Sequence, residues 1–493
     1  MDPTILVFLL GGLFLGWSLG ANDAANVFGT AVGTGMVRFA IAAVVCSLFV
    51  ILGAVVSGAG AAHTLGKLGA INTVAGAGMA AFSAALTVYW MTRLRLPVST
   101  SQAIVGAIIG WNFFTGSPTD LNSLIKIVAT WVACPLLAAF FGAAIYKGTV
   151  YVVNWARLHL FRLDAYTRVA LILAGAFGSY SLGANNIANV MGVFVASNPF
   201  TSFAAEGFFS FSATQQLFLL GGVAIAVGVF TYSKRVMMTV GSDLMPLSPV
   251  GAWVVVVAHS IVLFLFASQG LEHWLASSGL PTIPLVPVSS SQAVVGALVG
   301  IGLLRGGRGI RWRVLGNIAS GWMTTPVIAC LVCFVALFFL QNVFNQQVYR
   351  DSPYALSEPV MAHLAQDENL PAGVIALQGQ SFPRLAELRE ALAEIEELEL
   401  ELHNEIIEIA KVDNVTIAVE RLHELRDTTL SGEMISAVHG LAGQRFTHRW
   451  QLDNALAEAN PVWRNLPDST VNKLYNKKLA EQRGEVFQIF AEP

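Results

Sequence analysis

Six amide and carboxylate side chains recur in two copies of one short motif. SLGANDAANV covers residues 18–27, and SLGANNIANV covers residues 181–190, with eight of ten positions identical. Carboxylate and amide oxygens are hard ligands that can replace the water around a small cation. We therefore predict a cation-binding site formed by Asn22, Asp23, Asn26, Asn185, Asn186 and Asn189. Asp23 is the one acidic residue of these motifs, and it is the expected metal ligand if the cation is Na⁺.

A second repeated motif is rich in hydroxyl and amide groups. PVSTSQAIVGAIIG at 97–110 recurs as PVSSSQAVVGALVG at 287–300, identical at ten of fourteen positions. Pro favours the start of a helix, whose free N–H groups and positive dipole end bind anions. Neither copy contains Lys or Arg, so a bound oxyanion would depend on helix ends and on a co-bound cation. The predicted anion-binding side chains are Ser99, Thr100, Ser101, Gln102, Ser289, Ser290, Ser291 and Gln292.

The elements that carry these motifs are predicted to be membrane helices. Of 493 residues, 55% are hydrophobic and 12% are charged, whereas about a quarter of the residues in soluble proteins are charged. Apolar stretches long enough for a helix of about 20 residues lie near 2–19, 36–58, 72–92, 97–114, 121–146, 168–196, 213–233, 250–269, 284–304 and 313–340. We expect an all-α polytopic membrane protein with about ten membrane segments, some of them re-entrant.

The charges divide the chain into two unlike parts. Residues 1–350 hold 16 Lys and Arg against 7 Asp and Glu, while residues 351–493 hold 12 against 24. In a chain that crosses ten times, the odd-numbered loops hold thirteen basic residues and the even-numbered loops hold two, Lys67 and Lys126. Cytoplasmic loops carry the excess of Lys and Arg. The N-terminus and the acidic tail are therefore expected on the outer side of the cytoplasmic membrane.

The repeated motifs indicate a duplicated architecture. Five predicted crossings separate the two Asn-rich motifs, so the two halves would have opposite orientations in the membrane. Inverted repeats are typical of secondary transporters, which bind substrates near the midplane on interrupted helices. We expect both Asn-rich motifs to interrupt their helices. The predicted division is a first repeat at 1–150, an inverted second repeat at 165–345 and an acidic helical extramembrane domain at 351–493.

These paired motifs resemble the inorganic phosphate transporter (PiT) family, whose signature is a duplicated GANDxAN loop with a duplicated P-x-S-x-S stretch. The resemblance covers residues 1–345. It implies a secondary transporter that imports phosphate by alternating access, with Na⁺ or H⁺ as the coupling ion and no other cofactor. It also implies that the Asn and Asp positions bind sodium and the Ser, Thr and Gln positions bind phosphate. Asn186 departs from the pattern, because many members carry a second Asp there, and the number of coupled cations stays open.

Sulfate is the alternative anion, because an Asn in the second motif is similar to the sulfate permeases of the same family. Phosphate at neutral pH keeps a proton and benefits from an acceptor, whereas sulfate needs donors alone. Phosphate is favoured if Asp23 or a Gln carbonyl group faces the anion. If a cation occupies Asp23 completely, the residues leave the choice open. The oligomeric state is also open, with a homodimer as one arrangement, and no nucleic-acid partner is expected.

Two functions of other classes fit the sequence less well than transport does. A membrane receptor or scaffold would use the acidic tail as its interaction domain, but the intact polar motifs argue against it. A serine hydrolase using Ser99 or Ser101 would need a base, and no histidine recurs beside the motif, so we do not expect an enzyme. His259 lies in a valine-rich run and is predicted to be a structural core residue. Apolar spacing from Ser381 onward predicts one long amphipathic helix.

Overall fold

The computed structural model describes residues 3–69, 71–93, 98–157, 159–200, 203–205, 209–237, 245, 247–307, 310–365, 370–395, 398, 400–428, 430–467, 469 and 472–491. Pro97, expected to start an anion-binding helix, lies outside these residues. The chain divides into two compact units. The first comprises Met1–Thr201, Ala213–Glu272 and Thr282–Tyr349, and the second comprises the rest of the chain, including the acidic tail.

The first unit is built from apolar helices. They are α1 Pro3–Asn22, α2 Ala24–Gly33, α3 Phe39–Ser57, α4 Ala59–Leu68, α5 Val74–Arg93, α6 Thr100–Thr115, α7 Leu121–Ala156, α8 Leu160–Met191, α9 Ala213–Thr231, α10 Pro249–Leu265, α12 Ser290–Leu304 and α13 Trp312–Asn342. The helix α11 Gln269–Ser277 begins in the first unit and ends in the second. Within the described residues, six helical segments are long and apolar enough to cross a membrane, with α1 and α2 counted together. The pair α10 and α11, bent by 64°, makes a seventh if it is one span. The predicted number of crossings stays a prediction.

Helix packing in the first unit comes in matched pairs. Helix α1 packs against α5 and α9, and α8 packs in the same way against α10 and α3. Helix α6 packs against α13, while α12 packs against α7. The pairs match when each helix of the first half is assigned a counterpart in the second half. The counterparts of α1, α3, α5, α6 and α7 are α8, α9, α10, α12 and α13, respectively. Several of the largest contacts therefore join a helix of one sequence repeat to a helix of the other.

Glycines at matching positions bring these helices together. A methyl group on Gly106 would overlap the Pro326 carbonyl oxygen, and one on Gly296 would overlap the Pro135 carbonyl oxygen. Both prolines lie inside the long helices α7 and α13. The backbones approach so closely that only glycine fits without displacing them.

The two Asn-rich motifs differ in their backbones. In the first copy, α1 ends at Asn22 and α2 begins at Ala24, so Asp23 lies at a break. The second copy continues through α8 to Met191 and then enters the 3₁₀ turn Gly192–Phe194. The expected interruption at the second motif is therefore wrong. There Asn189 donates to Asn186 Oδ1 at 3.1 Å across one helical turn, which a continuous helix accommodates.

The second unit contains short helices and paired strands. Its strands are β1 Phe203–Ala205, β2 Phe209–Phe211, β3 Tyr354–Ala355, β4 Ser381–Phe382, β5 Val415–Thr416 and β6 Arg445–Phe446, paired antiparallel as β1–β2, β3–β4 and β5–β6. Its helices are α14 Glu358–Leu364, α15 Ala372–Ala376, α16 Leu385–Ala393, α17 Leu400–Ala410, α18 Gly432–Gly440, α19 Arg449–Ala459 and α20 Asn472–Phe490. The 3₁₀ helices are Val419–Asp427 and Pro461–Trp463.

The predicted long helix from Ser381 is wrong. Ser381 belongs to strand β4, and the apolar spacing is divided between α16 and α17. Helix α16 ends at Ala393, where the Glu394 N–H group bonds back to the carbonyl groups of Glu390 and Leu392. Apolar residues on both sides of the end pack into one core, so their three- and four-residue spacing does not require a continuous helix.

The acidic tail is itself a tandem repeat that the sequence analysis missed. Residues 375–394 and 439–458 are identical at nine of twenty positions. In each copy a strand pair is closed by a glycine with positive φ, Gly379 at 82° and Gly443 at 80°. The Gly379 N–H group donates to Leu356 at 2.7 Å, and the Gly443 N–H group donates to Ile417 at 2.8 Å. Each copy has its own hydrophobic core.

Candidate functional site

All fourteen predicted ion-binding side chains lie in the first unit, on the segments that the repeat places in matched positions. Thirteen of them are at most 6% exposed to solvent, and Asn22 is half-buried. Buried hydroxyl, amide and carboxylate groups on apolar helices are unfavourable unless they find partners or bind ions. The hydrogen bonds among these residues show which atoms are already used.

Asp23 joins the first cation motif to the first anion motif. Its Oδ1 atom accepts hydrogen bonds from Asn22 at 3.1 Å and from Asn26 at 3.4 Å. Its Oδ2 atom accepts one from the Thr100 hydroxyl group at 3.0 Å. The break between α1 and α2 places this carboxylate opposite the first residue of α6. These three side-chain partners are neutral, so none of them compensates a negative charge on Asp23.

Two equivalent hydrogen bonds join the anion motifs to each other. The Ser101 hydroxyl group donates to the Val288 carbonyl oxygen at 3.0 Å, and the Ser291 hydroxyl group donates to the Val98 carbonyl oxygen at 3.1 Å. Each bond joins the start of one short helix to the segment that precedes the other. The predicted anion motifs are therefore brought together.

Two further serines cap these helices. Ser99 Oγ accepts from the Gln102 N–H group, and Ser289 Oγ accepts from the Gln292 N–H group, each at 3.3 Å. Each capping serine accepts a hydrogen bond from one N–H group of the first helical turn. Both helix N-termini lie where the two anion motifs meet. A helix N-terminus favours negative charge, so the backbone supports the predicted anion site.

The second Asn-rich motif also contacts the paired anion motifs. Asn189 donates to the Ser101 hydroxyl group at 2.8 Å, and Asn26 donates to Ser290 at 3.2 Å, so each motif contacts a serine of the opposite half. Asn185 instead binds the backbone of the segment before α12. It donates to the Val286 carbonyl oxygen at 2.9 Å and accepts from the Val288 N–H group at 2.8 Å. In this conformation Asn185 positions the anion segment, and its cation-binding role stays a prediction.

Several buried polar atoms in this region have no hydrogen-bond partner among the described residues. They are Gln102 Oε1, Gln292 Oε1, Asn189 Oδ1 and Asn186 Nδ2. Buried polar atoms without partners are costly, so these are the atoms that a bound ion would satisfy. The three carbonyl oxygens can accept from a protonated anion or bind a cation, whereas the Asn186 NH2 group can donate to an anion.

His259 is a residue of this cluster that the sequence analysis assigned to the core. Its Nε2 atom lies 2.8 Å from Ser290 Oγ, and the side chain is fully buried. A single histidine in a valine-rich helix has no motif or repeat to mark it. His259 meets the anion motif because its helix, α10, packs against α12.

The motif pairs and their packing agree with a known family. The sequence model described as "Phosphate transporter family" matches residues 19–333 and 280–403. The chain belongs to this family. Because members of the family are transporters, the expectation that the chain is not an enzyme is confirmed.

Individual family members are distant in sequence. A protein of Pyrococcus furiosus named as a phosphate permease is 25% identical over 420 residues, covering 69% of this chain and 98% of its own length. One of Methanocaldococcus jannaschii, also named as a phosphate permease, is 25% identical over 338 residues, covering 68% and 97%. The solved structure titled "The sodium-dependent phosphate transporter" has a TM-score of 0.55 and 22% identity, covering 68% of this chain and 98% of its own. This likeness shows the shared fold.

Proposed function

We propose that the chain imports inorganic phosphate across the cytoplasmic membrane as a cation-coupled secondary transporter. The observation that carries the proposal is the buried Asp23 carboxylate, whose side-chain partners are all neutral. A buried charge is stable when it is paired, and Na⁺ at Asp23 would pair it. Asn22 and Asn26 supply further amide oxygens, with Asn185, Asn186 and Asn189 as their counterparts.

Coupling follows from the position of Thr100. This residue starts the anion-motif helix α6 and bonds to the carboxylate of the cation motif at 3.0 Å. A cation at Asp23 would therefore lie next to the anion site and compensate an oxyanion there. Without that cation, a bound anion would share a low-dielectric site with an uncompensated carboxylate, and both would be destabilised.

The open acceptor atoms favour phosphate over sulfate. Gln102 Oε1 and Gln292 Oε1 have no partner among the described residues. Hydrogen phosphate carries a proton that a carbonyl oxygen can accept, whereas sulfate at neutral pH carries none. The names of the relatives and of the solved structure add support, since they refer to phosphate and, for the structure, to sodium.

Alternating access is supported by burial and by the paired packing. Thirteen of the fourteen predicted ion-binding side chains are buried, so ions bound among them would enter and leave by movement of helices. The two halves pack through matched helix pairs, as the halves of inverted-repeat transporters do. We therefore retain the ten-segment inverted repeat, with repeats at 1–150 and 165–345.

Contacts between loops fit the proposed sidedness. Arg305 donates to the Tyr146 hydroxyl group at 2.6 Å, and Arg168 donates to the Met36 carbonyl oxygen at 3.1 Å, so basic odd-numbered loops meet each other. At helix ends next to the even-numbered loops, Asn112 of α6 donates to the Leu68 carbonyl oxygen of α4 at 3.2 Å. By the excess of basic residues, the first group faces the cytoplasm. The N-terminus and the extramembrane domain 351–493 then lie outside.

Uptake into proteoliposomes tests the proposal. Purified protein should accumulate radiolabelled phosphate when an inward sodium gradient is applied, and unlabelled phosphate should compete far better than sulfate. An inward proton gradient in sodium-free buffer separates the two coupling ions. Preferred competition by sulfate would assign the chain to the sulfate alternative. Absence of uptake of either anion under both gradients would overturn transport itself.

A further inference from the structure

The anion-motif helices begin with equivalent hydroxyl groups that have different partners. Thr100 opens α6 and donates its hydrogen to Asp23 Oδ2 at 3.0 Å. Ser290 opens α12 and lies 2.8 Å from His259 Nε2. One half therefore attaches its hydroxyl group to a carboxylate and the other attaches it to an imidazole. The site is chemically asymmetric although its backbone is repeated.

The surroundings of His259 indicate which atom donates. Ser290 Oγ already accepts a hydrogen bond from Asn26 at 3.2 Å, and His259 Nδ1 has no partner among the described residues. If Ser290 donated to Nε2, the neutral imidazole would carry its hydrogen on Nδ1, where nothing accepts it. Buried N–H groups without an acceptor are rarer than buried lone pairs without a donor. The favoured arrangement therefore has Nε2–H donating to Ser290 Oγ.

This arrangement determines what Ser290 offers to a ligand. With Asn26 and His259 both donating to its oxygen, the Ser290 hydroxyl hydrogen is free to point elsewhere. The Thr100 hydroxyl group has the opposite role. Its hydrogen is donated to Asp23, so its oxygen lone pairs remain to accept a hydrogen bond. The pair then presents one donor and one acceptor, as a monoprotonated tetrahedral oxyanion requires.

We propose that His259 is a positioning residue that holds the Ser290 hydroxyl group as a hydrogen-bond donor to the transported anion. The proposal rests on the proposed function, since it assigns a role within that anion site. His259 does not touch the anion itself and acts through Ser290. Its removal should weaken anion binding and leave the cation site at Asp23 in place.

Three substitutions test this role in the full-length protein. His259→Leu removes the donor, and the KM for phosphate at saturating sodium should rise about threefold to tenfold, the effect of one neutral hydrogen bond. His259→Gln keeps an N–H group at a similar reach and should restore the KM to within about twofold of the wild type. Ser260→Ala is the matched control, because Ser260 is adjacent and buried but donates to Val256 in its own helix.

A double variant separates positioning from folding. Once Ser290→Ala has removed the hydroxyl group, adding His259→Leu should not raise the KM further. An unchanged KM in His259→Leu, or a lower Vmax with unchanged KM and a lower melting temperature, would overturn the inference while leaving the proposed function intact. Failure of the wild-type protein to take up phosphate would overturn the proposed function, and the inference with it.

Discussion

Thr100 Oγ1 donates a 3.0 Å hydrogen bond to Asp23 Oδ2, joining two motifs that lie 77 residues apart in the chain. The bond connects the break between α1 and α2 to the first residue of α6. A change of charge at Asp23 therefore reaches the proposed anion site through one contact.

The first prediction concerns the charge of Asp23. Asp23→Asn keeps the size of the side chain but removes the proposed cation ligand, so sodium-driven accumulation of phosphate should be abolished, a loss of at least about 100-fold given the strength of buried charge pairs. Uptake into proteoliposomes with and without a sodium gradient measures this. Asp120→Asn is the control, because Asp120 caps α7 and Asn caps helices equally well. Wild-type accumulation by Asp23→Asn would exclude Asp23 as the coupling residue.

The second prediction concerns the addition of a carboxylate to the second motif, at Asn186. Asn186 occupies the place of Asp23 in the second motif and is 1% exposed. Asn186→Asp adds a second buried carboxylate, which requires a second cation. The sodium dependence of uptake should become steeper, with a higher Hill coefficient and a higher half-saturating sodium concentration. Identical sodium curves for the wild type and Asn186→Asp would contradict a cation site in the second motif.

The third prediction concerns the close approach of helices. Gly106→Ala and Gly296→Ala should each destabilise the protein by about 1–3 kcal/mol, because the new methyl group overlaps a proline carbonyl group of the facing helix. Thermal unfolding in detergent measures the effect. Gly148→Ala and Gly316→Ala are matched controls, since both glycines lie in long helices with open space around them. Equal melting temperatures for all four variants would argue against the backbone contact.

The fourth prediction concerns the repeated turns of the acidic tail. Gly379 and Gly443 have φ near 80°, which costs a side chain about 1–2 kcal/mol. Gly379→Ala and Gly443→Ala should therefore speed proteolytic cleavage within residues 351–493, while Gly432→Ala, a helical glycine in open space, should not. Gel analysis of the full-length protein follows the cleavage. A greater sensitivity of Gly432→Ala than of either turn variant would contradict this account.

Duplication made the proposed site predictable from sequence. One polar residue in a membrane helix carries little information, but Ser101 and Ser291 recur in matched motifs, and the structure gives them matched hydrogen bonds. Pro135 and Pro326 lie on the corresponding helices α7 and α13, and their carbonyl oxygens face Gly296 and Gly106. The repeat thus indicated the paired motifs, whereas their individual contacts depend on the packing of the helices.

Features outside this symmetry were not predictable. His259 is unpaired in the repeat, so its contact with Ser290 depends on helix packing alone. The continuous backbone at Asn186 also escaped prediction, because the same side-chain hydrogen bond forms within a continuous helix, from Asn189 to Asn186, and across the break at Asp23, from Asn26. In the tail, apolar spacing predicted helical residues correctly but not the end of α16, since two packed helices share the periodicity of one.

The reciprocal contacts between α6 and α13 and between α12 and α7 have a consequence for biosynthesis. Ribosomes make residues 1–150 first, yet Ser101 finds its carbonyl partner at Val288 and Gly106 finds its neighbour at Pro326. The early half therefore contains polar groups whose partners in the finished structure lie in the second half. The Val288 carbonyl group that Ser101 binds is made 187 residues after Ser101 itself. The two halves therefore share one packed unit, and its contacts can be complete only after the second half, through Pro326, has been made.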